Sequence, residues 1–145
     1  MEENIIKIFD GLYVTSSYVS NDRYKYVINI NNKTLEDGPE RTFSPERTKN
    51  INIYIEEILL SSSIACIDYN ATNNFILDAF KNKEKVIIYD DSNFIVSFLI
   101  CSIFMIKVIK INYIDVIAWL KYKLKINSKV YKKLTYQLLL QTFTN

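Results

Sequence analysis

The stretch that most limits how this chain can fold is VIIYDDSNFIVSFLI, residues 86 to 100. An apolar run of Val86, Ile87, Ile88 and Tyr89 stops at Asp90-Asp91-Ser92-Asn93 and gives way to a longer apolar run. The first run has the length of a buried strand and the second that of a helix, so the segment reads as strand, tight loop and buried helix. Residues 94 to 106, FIVSFLICSIFMI, carry no charge, yet thirteen residues are too few to span a bilayer. A helix that is apolar all round belongs at the centre of a fold. In many α/β enzymes such a turn delivers a helix N-terminus to a phosphate. Here the turn carries two carboxylates where an anion ought to bind.

A chain of 145 residues fits one domain and buries a real core. Heavy use of Ile, Asn and Lys points to an AT-rich genome. The start, MEENIIKIF, has no basic opening, no long apolar region and no small-residue cleavage site, so the expected location is intracellular, in the cytoplasm. The complete lack of histidine excludes His general bases, Ser-His and Cys-His nucleophile pairs and most catalytic zinc sites. Cys66 and Cys101 lack metal-ligand spacing and read as buried thiols, so neither a metal nor another cofactor is expected.

Charge is uneven. Residues 107 to 145 hold eight lysines against the single acid Asp115, a net +7, which leaves −5 for the rest of the chain. A basic end of this kind suits an acidic partner, nucleic acid or an anionic membrane, and it equally suits the solvated faces of amphipathic helices. Trp119, Tyr122, Tyr131 and Tyr136 lie among these lysines, as on nucleic-acid surfaces, but without a nucleic-acid motif they read first as packing residues.

Along the chain, Ile5 to Phe9 and Leu12 to Thr15 flank the turn dipeptide Asp10-Gly11 and predict a hairpin. Residues 25 to 30, KYVINI, predict a strand, as do residues 51 to 55 and 85 to 89. Between the first two, residues 31 to 50 are polar, hold both prolines and read as a long exposed loop. That loop repeats Pro-Glu-Arg-Thr at 39 to 42 and 45 to 48, either a recognition segment with Ser44-Pro45 as a phosphorylation site or unconstrained loop sequence. A helix is expected over Asp68 to Lys83 with Ala71, Phe75, Ala79 and Phe80 inward. Two amphipathic helices close the chain, the first on Ile114, Ile117, Leu120 and Leu124, the second capped by Ser128 with Val130, Leu134 and Leu138 inward.

With this order of elements the sequence resembles the dual-specificity protein phosphatases, and among them the small poxviral ones. Asp10-Gly-Leu-Tyr-Val14 is similar to the family's opening DGLYLG strand, Lys25 to Ile30 to its KYVLNL strand, and Asn50 to Tyr54 to the strand before the general-acid loop. The resemblance covers nearly the whole chain and implies a single α/β domain, a central mixed sheet flanked by helices, over residues 1 to 145. In that family the loop after the last strand reads His-Cys, five residues, Arg, then Ser or Thr. The thiolate attacks phosphorus, loop N–H groups and the Arg fork hold its oxygens, and an Asp from another loop protonates the leaving group.

Carried across, the resemblance puts Tyr89 at the His position, Asp90 at the nucleophile and Val96 at the Arg, while Ser97 still matches. The former phosphate loop is Asp90, Asp91, Ser92, Asn93, Phe94, Ile95, Val96 and Ser97. The general-acid position falls at Leu60, with Leu59 and Ser61 as neighbours in register. The expectation is a pseudophosphatase without catalytic residues, in which Asp90 or Asp91 folds into the loop as an internal anion and phosphate does not bind. Such a chain would act as a protein-binding or scaffold module of viral origin, in the host cytoplasm or associated with virions. Its partner is unidentified, and a homodimer stays open. Two other classes also stay open: an Asp90-dependent magnesium phosphohydrolase, whose motif would need an acid at Ser92, and a basic adaptor for nucleic acid or anionic membrane.

Overall fold

The computed structural model describes residues 5–16, 24–32, 49–55, 67–90 and 94–126, together with Lys129 and Lys132. Five strands form one mixed sheet: β1 (Ile5–Phe9), β2 (Leu12–Thr15), β3 (Tyr26–Asn32), β4 (Lys49–Ile55) and β5 (Val86–Asp90). Their order is β1-β2-β5-β3-β4, with β1 antiparallel to β2 and the other neighbours parallel. β5 therefore lies at the centre, and all five of its residues are buried. Both ends of the expected 31–50 loop belong to strands, since β3 runs on through Asn32 and β4 starts at Lys49. The tandem repeat at 39 to 48 lies outside the described residues.

Side chains alternate across the sheet with the period of two that a strand imposes. Leu12, Val14, Tyr26, Ile28, Ile30, Val86 and Ile88 belong to the main core. Val27, Ile87 and Tyr89, with Tyr24, form a smaller cluster on the opposite face, where Tyr13 packs against them. Three helices contribute to the main core: α1 (Tyr69–Lys81), α2 (Ile95–Phe104) and α3 (Tyr113–Leu124).

α1 starts where Asp68 accepts a hydrogen bond from the Ala71 N–H at 3.0 Å. Its inward face is Tyr69, Thr72, Asn73, Ile76 and Ala79, with Phe75 and Phe80 half-buried, whereas Ala71 is exposed. The expected stripe was misphased at its start because Ala71 is small enough to sit in water at little cost, while Tyr69 and Ile76 bury far more apolar area. The end of α1 is tied to the sheet through Tyr26, whose hydroxyl donates to Asp78 Oδ2 at 2.7 Å and accepts from Asn82 Nδ2 at 2.9 Å. Lys49 at the start of β4 reaches the same carboxylate oxygen at 3.4 Å.

α2 is buried along its whole length, as an uncharged helix must be. It stops at Phe104 and continues as a π-helical turn, Met105–Ile109, closed by Lys110 in the left-handed conformation. A run apolar on every side carries no phase, so this change of helix type has no sequence signature. Among the described residues no helix is long and apolar enough to cross a membrane. Phe9, Phe80 and Phe104 meet with ring centroids 5.9–6.4 Å apart and join the hairpin to α1 and α2. Gly11, with φ +100°, lets the hairpin turn pass directly over Phe80.

α3 buries Val116, Ile117, Leu120 and Leu124, but Ile114, expected inward, is 61% exposed. Asn112 caps the helix by accepting from the Ile114 N–H, which fixes the first turn with Ile114 on the outer side. The second closing helix, with Ser128, Val130, Leu134 and Leu138, lies outside the described residues except for exposed Lys129 and Lys132.

Candidate functional site

The strand-to-helix junction predicted from residues 86 to 100 sits at the C-terminal end of central strand β5, where α/β sheets place ligands. Asp90 is the last residue of β5 and pairs in register with Ile30. Strand parity puts its side chain on the same face as Val86 and Ile88, the face against which α2 packs. Tyr89 points the other way, into the cluster with Tyr24, Val27 and Ile87. Tyr89 and Asp90, adjacent in the chain, thus serve opposite faces of the sheet.

Phe94 precedes α2 with φ +67°, a left-handed backbone in which a bulky side chain is uncommon, and it supplies no side-chain cap. Its carbonyl accepts the first helical bond, from the Phe98 N–H at 2.9 Å. The capping acceptor comes instead from the strand. Asp90 Oδ2 accepts from the Ser97 N–H at 2.8 Å and from the Ser97 hydroxyl at 2.6 Å. Asp90 and Ser97 are both 0% exposed. Helix N–H groups carry partial positive charge and lack partners in the first turn, so a buried carboxylate is well placed there.

Sequence reasoning left Asp90 and Asp91 as equal candidates for this role. Asp90 fills it, and Asp91, Ser92 and Asn93 lie outside the described residues. Leu60, with Leu59 and Ser61, also lies outside them. Val96, which the resemblance puts at the Arg position, is 0% exposed and belongs to the main core, as does Ile95. The role of Ser97 as a double donor was not read from the sequence, although its place in the first turn and the parity of Asp90 are both visible there.

Cys101 follows Ser97 by one helical turn and is fully buried. Burial pushes its thiol well above the usual range, and the negative charge of Asp90 pushes it further the same way. A buried thiol held neutral is a poor nucleophile. Among the described residues no group of three or more His, Cys, Asp or Glu is placed to hold a metal ion.

Neither a family model nor a curated protein sequence matches this chain. Solved structures do. Human DUSP28 matches with a TM-score of 0.66 at 9% identity, covering 97% of each chain. The human tyrosine phosphatase-like serine/threonine/tyrosine-interacting protein matches with a TM-score of 0.64 at 12% identity, over 94% of this chain and 97% of that one. A leucine rich repeat and phosphatase domain containing protein from Entamoeba histolytica matches with a TM-score of 0.57 at 14% identity, over 97% and 95%. The chain therefore has the mixed α/β fold of the dual-specificity-phosphatase-like proteins, built on a five-stranded sheet.

Proposed function

We propose that this chain is a pseudophosphatase, a phosphatase-like domain without catalysis that serves as a protein-binding or scaffold module. The observation that carries the reading is the pair of hydrogen bonds from Ser97 to Asp90 Oδ2. Where the resembled family presents a thiolate to a substrate phosphate, this chain turns a carboxylate inward and engages it with the helix start. A phosphate dianion at that spot would face like charge. Unit charges roughly 4 Å apart repel by about 4 kcal/mol at an effective dielectric of about 20. Val96 offers no guanidinium to offset this.

One structural neighbour is itself named as a phosphatase-like interacting protein, which supports the binding role by analogy of fold alone. Viral origin and action in the host cytoplasm belong to the same proposal, supported by the Ile, Asn and Lys usage and by the resemblance to poxviral phosphatases.

The test is turnover of p-nitrophenyl phosphate and of phosphotyrosyl and phosphothreonyl peptides, with and without magnesium, beside calorimetry with phosphate and tungstate. No turnover and no anion binding at neutral pH are expected. Magnesium-dependent turnover abolished by Asp90→Asn would establish the aspartate-nucleophile alternative instead.

A further inference from the structure

The outer side of α3 is built unlike a solvated helix face. Ile114, Ala118 and Tyr122 recur every fourth residue and form one ridge, and all three are exposed, Ile114 by 61% and Tyr122 by 72%. Trp119, 41% exposed, stands beside the ridge with its ring centroid 6.3 Å from that of Tyr122. With Val116, Ile117, Leu120 and Leu124 buried on the inner side, the helix is apolar on two sides, the pattern of one covered from both.

The charge around the ridge selects what covers it. Residues 105 to 126 contain five lysines and one acid, Asp115. Exposed Lys125 caps the end of α3 beside the ridge, and Lys123 lies along its far flank with its ammonium 4.8 Å from the Trp119 ring centroid. A second copy of this chain docked face to face would set lysine against lysine. Base stacking would need the indole face over which Lys123 already sits. Insertion into a membrane would need Trp119 free to project, yet its N–H is bonded to the Ile8 carbonyl at 2.9 Å.

We infer that the outer face of α3 is a docking site for an acidic protein segment, one that seats an apolar side chain on the Ile114–Tyr122 ridge and its carboxylates at Lys123 and Lys125. Exposed Trp and Tyr are the residues that most often anchor protein interfaces, and complementary charge steers the encounter. The inference rests on reading the chain as a binding module and is independent of whether it is catalytically inert.

The experiment selects short random peptides by display on the immobilised full chain, then measures the enriched peptides against the wild type, Tyr122→Ala and Lys125→Glu. A single-stranded oligonucleotide and phosphatidylserine vesicles serve as the other ligands. Enriched peptides should combine Asp or Glu with an aromatic or aliphatic residue. Their binding should weaken about tenfold or more in each variant while thermal unfolding stays unchanged, and it should weaken as salt rises. Enrichment without acidic residues, or binding equal in all three proteins, would overturn the surface while leaving a binding role elsewhere standing. Failure to enrich any peptide, or tighter binding of the oligonucleotide or vesicles, would also overturn it. Phosphatase assays on the same samples report on catalysis separately.

Discussion

Ser97 directs both its backbone N–H and its hydroxyl to one oxygen of Asp90, seven residues earlier in the chain. The bond closes the strand-to-helix junction from inside, across residues 91 to 93. Replacing Asp90 by Ala leaves two buried donors without this acceptor, and the expected loss is about 3 kcal/mol. Asp90→Asn keeps an acceptor oxygen and should lose less. Urea denaturation measures both, and calorimetry of Asp90→Ala with phosphate should show anion binding that the wild type lacks.

Rebuilding the family's catalytic pair should fail. Val96 is fully buried in the main core, so Val96→Arg places a guanidinium among apolar side chains. The combination Asp90→Cys with Val96→Arg is expected to lose about 3 kcal/mol or more and to show no phosphatase turnover. Denaturation and a p-nitrophenyl phosphate assay on the same preparation check this.

Gly11 combines φ +100° with a crowded neighbour, since a Cβ built there would lie 2.9 Å from Phe80 Cε1. Gly11→Ala therefore meets both backbone strain and a ring held by Phe9 and Phe104. A loss of about 1–3 kcal/mol in urea denaturation is expected.

Tyr26→Phe should show a pH-dependent cost. The Tyr26 hydroxyl holds the Asp78 carboxyl below its ordinary value of 3.8, partial desolvation opposes this, and Lys49 and Lys81 add to the lowering. A carboxyl whose folded pKa is depressed stabilises the fold above its unfolded pKa and loses that contribution as pH falls through the folded value. The stability gap between wild type and Tyr26→Phe should thus be present at neutral pH and close below pH 3.8. Denaturant midpoints across a pH series read it directly. Exposure of Asp78 to solvent keeps the effect small.

The sheet was legible because its signals are local. Apolar runs bounded by Asp10-Gly11 and by Asp90-Asp91 mark β1, β2 and β5, β-branched runs mark β3 and β4, and parity then assigns the faces. Helix faces were harder. Ala71 and Ile114 matched an apolar period yet lie outward, because where a helix rotates depends on its caps and on the larger residues nearby. At the site, the resemblance put Asp90 and Val96 where that family has Cys and Arg, whereas the choice between Asp90 and Asp91 required knowing where β5 ends. The link from Trp119 to Ile8 spans 111 residues and left no trace in spacing.

That link gives the border of the sheet a particular mechanical character. β1 is an edge strand, and an edge ordinarily presents unpaired carbonyls. By taking one of them, Trp119 fastens the outer helix to the rim of the sheet at the same point where the helix turns its aromatic side outward. If the outer face of α3 binds as proposed, a surface fastened in this way is preorganised and little ordering entropy is lost on association. Trp119→Phe should accordingly cost about 1 kcal/mol of stability and speed amide exchange along β1.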